Sequence, residues 1–307
     1  MAKRLLLALG STPAALIGCH ATSVDELPSA PPTSVTKISS GGFRSPTDAV
    51  ASPDGRTFYF AAWDDLKQPA VFQVASVAGS TAAPIATGAP IEAPIGLVMS
   101  CDGASLYVAD MGGDAGAILQ VPTAGGVAST LGVTGIVRPR GLAMAPDCKS
   151  LFVTGQLDDT TPAVFSVAIG GGAARVVYQG APLRSPTGLH VDSLGVAWVM
   201  DHRAQGTAGE GVLFAVAADG STATEVASNL KMGTPGGVSL TAGGGTAVMP
   251  TRDDDGHGQL TSVDVATGEI TQLSTPDLAG PAGIRTAREA GVLAVVDSES
   301  ATIYRAE

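Results

Sequence analysis

Six times along the chain a proline is followed by one variable residue, then usually a glycine and an aliphatic residue. The copies are Pro46-Thr47-Asp48-Ala49, Pro94-Ile95-Gly96-Leu97, Pro139-Arg140-Gly141-Leu142, Pro186-Thr187-Gly188-Leu189, Pro235-Gly236-Gly237-Val238 and Pro281-Ala282-Gly283-Ile284. Their prolines lie 48, 45, 47, 49 and 46 residues apart. A period of this length marks one supersecondary unit used repeatedly, because a single unit cannot bury its own apolar face.

Each copy keeps one internal order. A short apolar strand follows the proline, and a tight turn such as Ser52-Pro53-Asp54-Gly55 or Cys101-Asp102-Gly103 follows the strand. Proline and glycine preset the dihedrals of such turns. A second strand rich in aromatic and β-branched residues comes next, as in Phe58-Tyr59-Phe60, Leu106-Tyr107-Val108 and Leu151-Phe152-Val153. A polar loop, a third strand such as Val164-Phe165-Ser166-Val167, and a weaker fourth strand complete the unit. Six units of four strands predict an all-β, six-bladed β-propeller. The last unit stops at its third strand, Ile303-Tyr304, while a lone strand, Val35-Thr36-Lys37-Ile38, precedes the first unit. That strand is expected to pair with the last blade and close the ring, which removes an open sheet edge. No segment has sustained helical periodicity.

The chain before the repeats reads differently. Lys3 and Arg4 precede an apolar run from Leu5 to Gly18, too short to cross a bilayer as a helix. The run ends in Leu16-Ile17-Gly18-Cys19, which resembles the lipobox of bacterial lipoproteins. The resemblance implies a signal peptide over 1–18 and a lipidated Cys19 as mature N-terminus. A Pro-, Ser- and Thr-rich tether over 19–33 then leads to a propeller over 34–307. His20 rather than Asp follows the cysteine, which in the Gram-negative sorting rule points to the outer membrane rather than the inner. Expected localisation is therefore the cell envelope, with the membrane held through lipid.

The net charge of −11 would fall to −13 on loss of Lys3 and Arg4 (−11 minus 2). Such a surface repels phosphate backbones, and no basic stripe or aromatic platform offsets it, so nucleic acid is excluded as a partner. Cys101 and Cys148 sit in equivalent turns of adjacent units. They form either one blade-to-blade disulfide or two buried free thiols.

The Pro-x-Gly-aliphatic start, the Asp-Gly turn and the aromatic second strand resemble NHL-repeat and gluconolactonase-like propellers over about residues 35–307. That family holds a divalent metal at the channel mouth, with Asn or Asp between the proline and glycine of certain repeats and a Glu from the first blade. Here those positions are Thr47, Ile95, Arg140, Thr187, Gly236 and Ala282, and the only Asn is Asn229. The family's metal ligands are therefore not carried over, and Arg140 places a positive charge where the cation would sit. Asp48, one residue along, is the nearest acid.

The loops at the expected mouth are rich in charge. Arg138 and Arg140 are read as meeting an anionic group, with Thr187 lining the site and Asp110, Asp201 and Asp297 accepting hydrogen bonds from a ligand. The competing reading makes the same carboxylates ion pairs and loop caps. Asp253-Asp254-Asp255-Gly256-His257-Gly258 resembles the start of a calcium loop, so Asp253 and Asp255 are the candidate Ca2+ ligands, although no Glu stands at the twelfth position. No other cofactor is expected. His202 and Trp63 fall in rim loops, and His190 in a first strand. No Gly-x-Ser-x-Gly elbow is present. Three functions follow as expectations. The first is a lipid-anchored envelope propeller that binds a small molecule or protein at the channel mouth without catalysis. The others are a metal-dependent lactonase or hydrolase with a rearranged site, and a purely structural role.

Overall fold

The computed structural model describes residues 30–205, 210–233, 236–276 and 278–307. The signal peptide, Cys19, most of the tether and Pro235 lie outside them. Six four-stranded antiparallel sheets are arranged as the repeats predict. Blade 2 shows the pattern: Pro94–Met99 is innermost, followed outward by Ser105–Asp110, Ala117–Pro122 and Ser129–Thr130. The innermost strands of the other blades are Arg44–Ala51, Leu142–Met144, Pro186–Val191, Ser239–Leu240 and Pro281–Thr286. The ring closes as expected: Val35–Ser40 pairs antiparallel with Thr302–Ala306 and supplies the outermost strand of blade 6.

The turns between first and second strands are held by repeated chemistry. Ser52 Oγ donates to Asp54 Oδ1 and accepts from Thr57 N, and Ser100, Asp102 and Ser105 repeat both bonds in blade 2. Gly55 and Gly103 close these turns at φ 68° and 71°. In blade 3 that left-handed position is taken by Cys148, at φ 61°. Cys148 is disulfide-bonded to Cys101 with Cα atoms 5.8 Å apart, so of the two states left open by the sequence the structure adopts the blade-to-blade staple.

The core lies between blades. Where blade 6 meets blade 1, Phe60 stacks on Phe72 with centroids 5.2 Å apart, and Phe43 meets Phe60 edge-on at 4.7 Å. Buried Val296 and Ile303 belong to the same cluster. This junction is the richest in aromatic area, and it is where the two ends of the chain must be held together.

The Pro-x-Gly motif has a packing cause. A Cβ at Gly96 would collide with the carbonyl oxygen of Arg140 in the next blade, and one at Gly141 with that of Thr187. The inner strands approach backbone to backbone, and only glycine leaves room.

Candidate functional site

The first strand of each blade runs from one face of the ring towards the other, so its entry residues form the mouth of a central channel. Thr47, Ile95, Arg140, Thr187 and Gly236, the variable residues of the motif, line a cavity of about 390 Å³ there. Ala282, the sixth, is fully buried. The loops that leave the second strands add Met111, His202 and Arg203, and the channel wall adds Asp48, Ser185, Leu189 and Arg285.

Arg140 Nη1 donates to Ser185 Oγ at 2.6 Å across the blade 3–4 junction. No carboxylate lies within 4.0 Å of the Arg140 guanidinium among the described residues, in contrast to the rim cations Arg44 and Lys231, which face Asp65 at 3.6 Å and Asp254 at 2.6 Å. Burial holds the Arg140 guanidinium below its ordinary pKa range, and the charges of Arg203 and Arg138 add to this, opposed only by Asp201. His202 is likewise pushed down, first by burial and then by Arg140. Its Nδ1 lies 3.0 Å from Ser185 O. Arg138 is exposed, holds its backbone at φ 52°, and does not border the cavity, so of the two predicted arginines the structure brings only Arg140 to the mouth.

Thr187 is placed where expected, but its hydroxyl is engaged, 3.2 Å from Met200 O and 3.4 Å from Gly236 O. Asp110, Asp201 and Asp297 require correction. None borders the cavity, and they are only 2%, 0% and 0% exposed. Asp110 accepts from the backbone N–H groups of Glu92, Ala93 and Gly112. Asp201 accepts from those of Arg184, Ser185 and Arg203, and Asp297 from those of Ala279, Gly280, Glu299 and Ser300. Each carboxylate staples the loop entering a first strand to the end of its second strand. They are loop staples rather than ligand acceptors, because backbone donors already occupy both oxygens. Asp201 still shapes the mouth indirectly, since Ser185 and Arg203 are two of its three donors.

The half-buried rim acids Asp64 and Asp253 behave as loop caps. Asp64 Oδ1 accepts from Leu66 N and Gln68 N, and Asp253 Oδ1 from Asp255 N and His257 N. Asp253, Asp255 and His257 can bring one ligand atom each within 4.8 Å of one another. The group is solvent-facing, and Asp253 Oδ2 already lies 3.2 Å from His257 Nδ1.

Two functional-site residues were not predicted. Asp48 stands in the register that the other five blades fill with glycine, and Arg285 in the register filled elsewhere by Val50, Val98, Ala143, His190 and Ser239. Arg285 is 6% exposed and donates from Nη1 to Leu189 O at 2.8 Å, across the channel. Its Nη2 lies 3.6 Å from Asp48 Oδ2, which also accepts from Leu97 N at 2.8 Å. Burial raises the Asp48 carboxyl to about 6 even against the pull of Arg285. Burial also lowers His190 to about 3, so its imidazole is neutral. The only sequence signal for this pair was two departures from the repeat, one in the first blade and one in the last.

Arg285 also borders a second cavity, of about 430 Å³, on the opposite face. That face carries the turns between first and second strands, including Cys101 and Cys148. Three residues that line this second cavity, Thr241, Ala242 and Thr286, also line a smaller cavity together with Ala30–Thr33, the end of the tether, and Thr33 N donates to Glu307 O at 2.8 Å. The tether therefore meets the ring on the face opposite the mouth.

No protein-family model matches the chain, and neither does any curated protein. Solved structures match its fold. A putative TolB from Agrobacterium tumefaciens superposes with TM-score 0.61 at 16% identity, over 91% of this chain and 99% of its own. The nidogen/laminin complex matches with TM-score 0.60 at 18% identity, over 74% of this chain and 82% of its own. A structural-genomics protein of unknown function from Bacteroides thetaiotaomicron matches with TM-score 0.63 at 12% identity, over 89% and 72%. At these identities the likeness is one of architecture. The β-propeller is shared, and function must be argued from the site.

Proposed function

We propose that this chain is a lipid-anchored cell-envelope propeller that binds a ligand at its channel mouth without transforming it. The observation that carries the reading is the preformed cavity, which combines apolar wall from Ile95, Met111 and Leu189 with a few convergent polar groups. The lipobox-like Leu16-Ile17-Gly18-Cys19 supports the anchor. Ala30–Thr33, the described end of the tether, lie on the face opposite the mouth, so an anchor on Cys19 would leave the mouth free for a ligand.

The hydrolase alternative finds less support. Asp48, the one carboxylate lining the mouth among the described residues, is committed to Arg285, Leu97 N and Ala49 N. A hard divalent cation needs several free oxygen ligands, and the neighbouring guanidinium groups oppose it. The TolB and nidogen/laminin likenesses are compatible with a protein partner at the same mouth, which makes a protein ligand the second form of the reading.

Two measurements test it. Labelled palmitate should enter the wild-type chain and not Cys19→Ala. A small-molecule library should yield compounds that raise the melting temperature, with the response lost in Ile95→Trp, which fills the mouth and leaves every charge in place. Turnover of a lactone or ester panel by the purified protein, or hits indifferent to Ile95→Trp, would overturn the reading.

A further inference from the structure

The protein is strongly acidic, yet the wall of its mouth is cationic. Among the described residues, Arg140, Arg203 and Arg285 border the cavity against one carboxylate, that of Asp48. His202 adds no lasting charge, since burial and Arg140 keep it neutral. Elsewhere on the surface Arg44, Lys231, Arg252 and Arg305 are paired with acids, and at the floor of the cavity Arg285 faces Asp48. Arg140 and Arg203 have no carboxylate within 4.0 Å among the described residues. Arg140 is instead held by a neutral hydroxyl, that of Ser185. Ser185 is fixed in turn by its backbone N–H on buried Asp201. The guanidinium is thus oriented by a partner that leaves its charge unneutralised. At the floor, Arg285 is buried and its Nε has no hydrogen-bond partner among the described residues. A buried charged donor without an acceptor is costly, and a ligand oxygen in the cavity would relieve that cost.

We infer that the mouth binds a small organic acid, its carboxylate received by Arg140 and Arg203 and its carbon skeleton lying against Ile95, Met111 and Leu189. This rests on the mouth being the ligand site. Guanidinium groups match a carboxylate by paired, charge-assisted N–H···O bonds, and the partly buried setting strengthens them relative to open solvent. The apolar wall is what separates an organic acid from an inorganic anion, which would gain nothing from it.

The test uses calorimetry on the purified protein with five probes: succinate, benzoate, the neutral amide of each, and inorganic phosphate. Succinate or benzoate should bind saturably, at least tenfold tighter than its amide and tighter than phosphate, and weaken as salt rises. Arg140→Met should lose at least tenfold in affinity while keeping its circular dichroism and melting temperature, because removing one of three like charges relieves repulsion with Arg203 and Arg138. Arg203→Met, at an exposed position, provides a second variant with little demand on folding.

Amides that bind as well as acids would overturn the organic-acid inference and leave the mouth intact as a ligand site. Phosphate binding at least as tightly as the carboxylates would replace it with a phosphoryl or inorganic-anion site. Silence from all five probes would also overturn it. The broader reading then stands or falls separately, on whether library hits respond to Ile95→Trp.

Discussion

Arg285 reaches across the channel to Asp48, its Nη2 3.6 Å from the carboxylate, and ties blade 6 to blade 1 at the point where the ring closes. Each partner departs from the residue type its register holds elsewhere in the ring, and the two departures face each other. Arg285 also borders the cavity on the opposite face, whereas Asp48 borders only the mouth.

Burial raises the Asp48 carboxyl to about 6, which fixes a sign for its effect on stability. The folded state holds this proton more tightly than the unfolded chain, so the stabilisation is fully present below the unfolded value near 4 and is lost as pH rises through 6. Asp48→Asn mimics the protonated side chain at every pH. Wild type and variant should therefore be nearly equal at pH 4. At pH 7 the variant should be more stable, by about 3 kcal/mol for a shift of roughly two pH units. Denaturant unfolding at both pH values checks this. A variant that is weaker at pH 7 than wild type would show that Arg285 outweighs burial.

The inner ring of glycines predicts a sharp positional contrast. Gly141→Ala drives a methyl into the Thr187 carbonyl, and the backbone of two blades must part to admit it. A loss of about 3 kcal/mol or more is expected, in the range of severe core substitutions. Gly170→Ala is the control. It meets nothing within 4 Å and needs no left-handed backbone, so its effect should stay within about 0.5 kcal/mol. Thermal melting of the two variants side by side decides the point.

Much of this architecture was legible in the chain because the blade is a local object. Pro46 to Ala49 and its five relatives mark inner strands, and the Asp-Gly turns and aromatic second strands follow within a few residues. Closure by Val35–Ser40 was legible by subtraction, since the last unit lacked an outer strand. The site was less so. Arg140 and Thr187 line the mouth because they sit inside the motif. Asp110, Asp201 and Asp297 were misassigned because a carboxylate at a loop end looks the same in sequence whether it faces solvent or backbone N–H groups 16 to 18 residues upstream. Asp48 and Arg285 were missed because their partnership spans almost the whole chain and exists only once the ring has closed.

The carboxylate staples predict a separation of stability from binding. Asp201→Asn and Asp297→Asn each remove a buried ion bonded to several backbone donors, and each should cost about 2–4 kcal/mol. Only Asp201 orders Ser185 and Arg203 at the mouth. Asp201→Asn should therefore also weaken ligand responses that depend on Arg140. Asp297→Asn, whose donors Ala279, Gly280, Glu299 and Ser300 all lie outside the cavity wall, should leave them unchanged. Equal loss of binding in both variants would mean that the staples act through global stability alone.

The disulfide gives the converse pattern. Cys101 and Cys148 close a loop with a sequence separation of 47, for which chain entropy alone gives about 4 kcal/mol of stabilisation. Engineered and natural bridges commonly deliver less, so a loss of about 2–4 kcal/mol is expected for the Cys101→Ser/Cys148→Ser double variant. A single substitution would leave a reactive thiol and confuse the result. The bridge borders the cavity on the face opposite the mouth, and neither cysteine lines the mouth. Ligand affinity at 25 °C should therefore be unchanged in the double variant, even as its unfolding midpoint falls. Unfolding curves with and without reductant should differ for wild type and coincide for the variant. A change in mouth affinity without unfolding would instead show that the two faces are coupled through Arg285.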